Sequence, residues 1–263
     1  MSNAITRFED FWREMPISND GTSVLAHPQD EADLTERDRQ CMQLDLLPLP
    51  ANGNLRTADV VILMLNPGFG ELDPHWGTPA SRLERLAGER ANLHQTRWTS
   101  DYPMFDLNPE LAGSGGADYW AGPLGPMKGK LGHLARALAN AGDHDHAGIR
   151  KELSNRIAVV QLVAYRSTAF KDLQSGQKKA GPPQHRLESS KEALLLAHGL
   201  VKEHRKLVLV PYGIQHWNFP AQVTKRLVVY KHGLRQAYFA PTSPGHHLIV
   251  ETLRPRDSLK LQV

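Results

Sequence analysis

Residues 60–70, VVILMLNPGFG, constrain the fold of this chain most strongly. They begin with an uninterrupted apolar run, which is typical of a strand buried on both faces of a parallel sheet. The run ends at Asn66, and Pro67 and Gly68 then stop the strand. Such a junction brings a polar side chain and free backbone N–H groups to the carboxyl edge of a sheet, where open α/β folds bind ligands. We therefore expect an α/β fold with a site at this edge.

Apolar runs and amphipathic segments alternate along the rest of the chain. The apolar runs predict strands over residues 59–65, 156–164, 206–211 and 235–240. The amphipathic segments predict helices over residues 5–15, 34–46, 83–94, 127–141, 186–204 and 214–225. Strands that are separated by helices form a mainly parallel sheet with helices on both faces.

This order of elements predicts a three-layer α/β/α sandwich with a central, mainly parallel four-stranded sheet. Its length suits a single domain over residues 1–263. The N-terminal helical segment, residues 1–57, is expected to pack on the sheet. Residues 71–121 form a long polar and aromatic insertion, and an ordered connection of this length usually serves function.

The composition is that of an ordinary soluble globular protein. Cys41 is the single cysteine, which excludes a disulfide and a four-cysteine iron–sulfur cluster. No apolar run is long enough to cross a membrane, and residues 1–14 lack the apolar segment of a secretory signal. We expect a cytoplasmic, monomeric protein without a membrane partner.

The positive charges are only slightly in excess, but they cluster in loops of the later two thirds of the chain. Lys and Arg number 31 against 28 Asp and Glu, and the pI is about 9.0. These clustered basic residues are Lys128, Lys130, Lys171, Lys178, Lys179, Arg186, Lys225, Arg226, Lys231 and Arg235. They are compatible with a DNA-phosphate surface of strong salt dependence and, equally, with an ordinary solvated surface.

Four segments carry a more specific signal. They are Asn66-Pro67-Gly68; residues 115–120 with the helix that follows; residues 159–164 with Arg166-Ser167-Thr168 and Lys171-Asp172-Leu173; and residues 241–244. In this order they resemble the motifs of the uracil-DNA glycosylase superfamily, most closely its mismatch-specific and thymine-DNA glycosylase branch. The resemblance spans about residues 59–247. It implies a uracil-DNA glycosylase-like fold, DNA as partner, and hydrolysis of the N-glycosidic bond of a flipped-out pyrimidine.

The resemblance assigns the water that attacks the sugar to Asn66, because an amide can accept from water and donate elsewhere at once. An amide is a weak base, so Asn66 is expected to orient the water more than to deprotonate it. Asp106, or Asp101, would supply a carboxylate at this step. The alternative for Asn66 is a cap of the loop after the strand.

Base recognition is expected at two positions above all. Gly68 matches the position at which strict uracil enzymes carry a Tyr that excludes substituents at pyrimidine C5, so this pocket would admit them. Gln161 matches the strand Asn that reads the base edge. The alternatives are turn geometry for Gly68 and a structural amide for Gln161. Further base-binding candidates are Phe69, Gly70, Tyr102 and Phe105.

The last motif departs from the family, because Pro241 stands where a His usually assists the leaving base. His246 or His247 would replace it, or backbone N–H groups of Phe69 and Gly70 would serve; a solvent-exposed role is an equal alternative for each His. DNA contacts are expected from Arg166, Ser167, Lys171, Ser243, Pro244 and Gly245. For Tyr165, Arg166 and Ser167 the role would be to orient either a phosphate or the wall of the pocket. The alternating residues 143–146 suit a solvated turn better than a metal site, and we predict no metal and no cofactor.

The resemblance implies a monofunctional DNA glycosylase, since no Lys stands in a Schiff-base context. Gly68, Gln161 and the missing His favour a bulky modified pyrimidine, such as those of phage genomes, and hence antiviral defence. Repair of uracil or mismatched thymine stays open, as does a catalytically inert module that binds modified DNA. An unrelated nucleotide-binding enzyme is disfavoured, because the chain lacks both GxGxxG and GxxxxGK[ST].

Overall fold

The computed structural model describes an α/β protein with a mostly parallel sheet. The described residues are 3–17, 26–69, 77–96, 100–122, 129–140, 145–168, 170, 187–219, 224–230 and 239–254. In this part of the chain the sheet has five strands: β1 (Ala51–Asn52), β2 (Val60–Met64), β3 (Ile157–Gln161), β4 (Leu207–Val210) and β5 (Leu227–Val229). Their order across the sheet is β1-β3-β2-β4-β5. The strands β2 to β5 run parallel, and β1 is antiparallel to β3.

The prediction of four strands was wrong in number. The extra strand, β1, has two residues, which is too short to show any periodicity in the sequence. Most of the predicted strand over 235–240 lies outside the described part of the chain, which includes only Phe239 and Ala240, and these two form a turn. Among the described strands, β5 takes the edge position next to β4.

Helices precede and follow these strands along the described chain. They are α1 (Ala4–Arg13), α2 (Pro28–Glu31), α3 (Glu36–Cys41), α4 (Pro79–His94), α5 (Gly115–Trp120), α6 (Gly132–Ala139), α7 (His146–Arg156), α8 (Glu188–Lys202), α9 (Ile214–Trp217) and α10 (His246–Leu253). Their starts follow local chemistry, since Asn3, Thr78 and Asp145 each accept a backbone N–H at a helix N-terminus. The helices α7 and α10 were not predicted, and α9 is much shorter than expected.

Successive residues of each strand face opposite sides of the sheet, as the two-residue period of a strand requires. On one side Val61, Leu63, Ala158 and Val160 pack with apolar residues of α1 and α8. On the other side the strand residues pack with α5, α6, α7 and α10, and these residues are Val60, Ile62, Ile157, Val159, Leu207 and Leu209. Because β2 and β3 are buried on both faces, their sequences are continuous apolar runs.

The N-terminal segment packs against the sheet, as predicted, and is also tied to the loop after β3. Helix α1 packs along α8, and Phe8 and Trp12 join the core beneath the strands. The Tyr165 hydroxyl donates to Asp30 at 2.7 Å and accepts from the His27 backbone N–H at 2.9 Å. These buried bonds anchor the loop that carries Arg166 and Ser167.

No helix in the described ranges combines the length and the apolar character that a bilayer span needs.

Candidate functional site

The carboxyl ends of β2 and β3 stay paired beyond the strands themselves, and this pairing builds the site. The carbonyls of Met64 and Leu65 each accept a backbone N–H from the chain after β3 at 2.9 Å, and the Pro67 carbonyl accepts the Ser167 N–H at 3.3 Å. The two chains therefore leave the sheet side by side. As a result, Asn66 and Ser167 face each other at the sheet edge.

A cavity of about 680 Å³ opens at this edge. It has the size of a small-molecule site. Its walls come from the ends of β1, β2 and β3, from α4 and α5, and from the loop that contains Phe105. The residues that line it are Leu49, Asn52, Met64, Asn66, Pro67, Gly68, Phe69, Arg85, Phe105, Asp106, Gly113, Gly115, Gly116, Asp118, Tyr119, Trp120, Val159, Gln161 and Arg166.

The side chain of Asn66 is held in one orientation. Its Nδ2 donates to Ser167 Oγ at 2.8 Å and to the Pro67 carbonyl at 3.1 Å. The carbonyl identifies this atom as the nitrogen, because a carbonyl cannot donate. The three hydrogen bonds described for the side chain all use Nδ2, so Oδ1 is left to accept from a ligand or a water at the cavity.

Gly68 leaves open space in the cavity wall. A Cβ built on Gly68 would meet no described atom within 4 Å, and the φ of Gly68 is not in the left-handed region. Turn geometry therefore does not require glycine here. The exposed Gly68 and the half-buried Phe69 both line the cavity, whereas Gly70 lies outside the described residues.

Gln161 ends β3 and projects into the same cavity as Asn66. Only 7% of its surface is exposed, and its Oε1 has no hydrogen-bond partner among the described residues. A buried side-chain amide normally satisfies both of its ends. A purely structural role for Gln161 would leave this oxygen unsatisfied, so the geometry favours a ligand contact.

The cavity also contains a buried carboxylate, Asp106. Its Oδ2 accepts a hydrogen bond from Asn52 Nδ2 at 2.6 Å. On the other side it lies against Gly116, where a Cβ would come within 2.2 Å of Oδ1. Burial raises the pKa of Asp106 to about 6, while the charges of Arg85 and Arg166 and the bond from Asn52 oppose the rise. A carboxyl with this pKa can gain or lose a proton near neutral pH.

The two arginines at the cavity form a shared ion pair with Glu89 of α4. Glu89 Oε1 lies 2.6 Å from Arg166 Nη2 and 3.0 Å from Arg85 Nε. All three side chains are largely buried, since 7% to 15% of each is exposed. Arg166 and Ser167 were predicted to contact DNA phosphate or to form the pocket wall. Arg166 lines the cavity, and Ser167 is 1% exposed. Arg166 therefore forms part of the cavity wall, and Ser167 holds Asn66.

Asp106 is expected to make the stability of the protein depend on pH. Its folded pKa of about 6 lies above the ordinary 3.8, so folding is favoured when the group is protonated, and this contribution is lost as the pH rises through about 6. The variant Asp106→Asn should therefore gain stability relative to wild type between pH 4.5 and pH 8, by on the order of 1 to 3 kcal/mol. Urea unfolding of both proteins at the two pH values measures this change.

Asp101→Asn is the control, because Asp101 is exposed, does not line this cavity and pairs with Lys151 at 2.6 Å. This placement also removes Asp101 as a candidate for the water-activating carboxylate. A difference between Asp106→Asn and wild type that stays constant with pH would contradict the assignment.

Several predicted site residues do not line the cavity. Tyr102 packs against the core on the side of α7, and Lys171 lies outside the described residues. The residues of the last motif lie at and before the start of α10, which packs on α6; they are Ser243, Pro244, Gly245, His246 and His247.

The two histidines of the last motif are therefore misplaced for leaving-group assistance in this structure. His246 Nδ1 lies 2.8 Å from the Phe239 carbonyl, and His247 is exposed. Neither lines the cavity. Both histidines lie in the first turn of α10, and Gly245 at its N-cap adopts φ +73°.

Other residues of the site were missed in the sequence. Asn52 precedes Gly53 and suggested only a turn, because its place at the cavity depends on the pairing of β1 with β3. Arg85 and Glu89 show the spacing of an ordinary surface pair on a helix. Tyr119 and Trp120 appeared only within the family motif, and their rings meet edge to face at 4.9 Å in the cavity wall. They are additional candidates for stacking on a flat ligand.

No group of three or more His, Cys, Asp or Glu residues within the described ranges is arranged to hold a metal ion. Asp145 caps α7 by accepting the Gly148 N–H at 2.7 Å.

Comparison of the chain with protein-family models, with curated proteins and with solved structures found no match.

Proposed function

We propose that this protein is a monofunctional DNA glycosylase that hydrolyses the N-glycosidic bond of a flipped-out, atypical pyrimidine and leaves an abasic site. One observation carries the proposal: Asn66 and Gln161 line one cavity, with open space beside Gly68. These are the three positions at which the resemblance places the water, the base edge and the C5 substituent. Gln161 lies almost a hundred positions from Asn66 in the sequence, and a shared cavity for the two supports the proposal.

Each residue at the cavity has a separate role in the proposed reaction. Asn66, held by Ser167, orients the attacking water with its free oxygen. Asp106 lies deeper, beside Asn52, and accepts the proton of that water through a chain of waters, which its pKa of about 6 permits near neutral pH. Gln161 binds the base edge, and Phe69, Phe105 or Trp120 packs against its face.

The size of the cavity favours a modified base. A space of about 680 Å³ suits a ligand of drug size, and an unmodified pyrimidine fills only a small part of it. A loosely held ring would not be positioned for attack. The proposed substrate is therefore a bulky modified cytosine or uracil of the kind found in phage genomes, which implies a role in antiviral defence.

The fold is compatible with this assignment. Helices on both faces of a mostly parallel sheet suit a three-layer α/β/α sandwich of the uracil-DNA glycosylase type, with one added antiparallel edge strand. A cytoplasmic monomer acting on DNA is proposed on the same basis.

The test is direct formation of abasic sites. Purified protein is incubated with phage DNA that carries hypermodified pyrimidines, with the same phage DNA made without them, and with duplexes that contain uracil or a G·T mismatch. Abasic sites are then trapped with an aldehyde-reactive probe. We expect abasic sites in the hypermodified DNA, and no strand cleavage unless alkali is added.

Activity confined to uracil or G·T duplexes would replace the proposal with a repair function. Binding to hypermodified DNA without any abasic site would replace it with an inert recognition module, which the position of His246 and His247 outside the cavity would favour.

A further inference from the structure

We infer that the cavity recognises a pyrimidine whose exocyclic substituent carries hydrogen-bond donors, either hydroxyl or amine, and that Asn52 and Asp118 accept them. This inference rests on the proposed function, because it assumes that the ligand is a base presented at Asn66. It adds the chemistry of the substituent and the residues that select it.

The first observation is a set of unsatisfied oxygens. Asn52 Oδ1, Asp118 Oδ1 and Gln161 Oε1 are buried, and none has a hydrogen-bond partner among the described residues. All three side chains line the cavity. A buried acceptor without a partner is unfavourable, so three around one cavity indicate a ligand that donates to them.

The second observation fixes which kind of atom is free. Asn52 Nδ2 donates to Asp106, so the end of Asn52 that remains is its oxygen. Asn52 is only 1% exposed, which leaves little freedom to turn. An ionised Asp118 offers acceptors alone. Gln161 can present either end of its amide, so it does not show whether the ligand donates or accepts. The free oxygens of Asn52 and Asp118 can only accept, so they require donors on the ligand.

The third observation is how far Asn52 lies from Asn66 along the strands. Asn52 lies opposite Val159, two residues before Gln161 on β3, which is about 7 Å further into the sheet. Met64 lies opposite Gln161, and Asn66 follows two residues beyond, so it is at the outer end. A ring that has its glycosidic bond near Asn66 and its edge at Gln161 stops short of Asn52. Atoms that reach Asn52 must belong to a substituent.

The charges favour donors as well. The carboxylates of Asp106 and Asp118 line the cavity, while Glu89 pairs with both Arg85 and Arg166. An acidic substituent would meet these carboxylates and lose affinity. Hydroxyl and amine substituents share the ability to donate, and an amine would add an attractive charge.

The experiment compares substituents on one ring. Duplexes carry a single uracil substituted at C5 with methyl, hydroxymethyl or aminomethyl, and a second series carries cytosine with methyl or hydroxymethyl. Binding is measured by fluorescence anisotropy and excision by abasic-site trapping. We expect the hydroxymethyl or aminomethyl base to bind about tenfold or more tightly than the methyl base on the same ring. A preference for hydroxymethyl identifies a neutral donor, and a preference for aminomethyl identifies a cationic one.

Variants assign the preference to the proposed residues. Asp118→Asn keeps the shape of the side chain and should reduce the preference to about threefold or less, and Asn52→Ser should do the same by shortening the acceptor. Asp101→Asn, an exposed change outside the cavity, should leave it intact. Equal binding of all substituents, or a preference that survives in both cavity variants, would overturn the inference.

The two readouts separate this inference from the proposed function. A donor preference in binding without abasic sites would reject the glycosylase and keep the substituent chemistry. Abasic sites that form equally from methyl and donor-bearing bases would keep the glycosylase and reject the inference.

Discussion

Replacing Asn66 with alanine is expected to slow base excision at least about a hundredfold and to leave DNA affinity within about twofold. The amide is held by Ser167, and its oxygen is the acceptor available to orient water at the cavity mouth. Loss of one well-placed polar group that acts in the transition state typically costs this much in rate. Single-turnover excision measures the chemical step, and anisotropy measures affinity.

Asn140→Ala is the matched control, because Asn140 is an exposed residue at the end of α6 and does not line the cavity. It should excise at the wild-type rate. If Asn66→Ala keeps more than a tenth of the wild-type rate while Asp106→Asn is inactive, Asp106 alone would activate the attacking water. If neither change matters, the cavity is not the reaction site.

Replacing Gly68 with tyrosine should change which bases are accepted. The Cβ of the new side chain has room, because nothing described lies within 4 Å of that position, and the φ of Gly68 suits any residue. The ring would then occupy the cavity space that a C5 substituent needs. We expect excision of bulky modified pyrimidines to fall at least about a hundredfold, since overpacking of a rigid site costs several kcal/mol.

Gly68→Ala separates the loss of glycine from the bulk of the ring. Alanine adds one methyl group in open space and should leave both stability and excision close to wild type. Thermal unfolding of Gly68→Tyr should also match wild type, which shows that the fold tolerates the change. If the tyrosine variant excised modified bases at the wild-type rate, the substituent would have to lie elsewhere in the cavity.

Local sequence patterns predicted the sheet and several of its helices well. The apolar runs at β2, β3 and β4 are strong because each strand is buried on both faces. Short elements were not predicted, and β1 is an example because it has only two residues. Its place at the edge of the sheet depends on its pairing with β3 and on the hydrogen bond that the Leu49 N–H donates to the Ala164 carbonyl. Those contacts join residues more than a hundred positions apart.

The residues of the site also differ in how far the sequence revealed them. Asn66 was found because it follows a strong strand, and parallel strands bring their carboxyl ends to one edge. Gly68 and Gln161 were found through the resemblance to the glycosylase motifs. Arg166 was found, but the sequence left open whether it contacts phosphate or forms the pocket wall, because a basic residue in a loop suits either. Its burial against Glu89 depends on where α4 lies, and no local pattern records this.

By itself, the sequence determined the alternation of strands and helices, the parallel core, and the strand end at which polar side chains gather. These follow from residue size, polarity and backbone freedom, which act over a few neighbours. Tertiary structure alone decided that Asn52, Asp106 and Asp118 join Gln161 around one cavity and that His246 and His247 do not. Long-range packing sets which loop ends meet, and burial then sets the proton affinity of Asp106 and leaves the acceptor oxygens facing the ligand space.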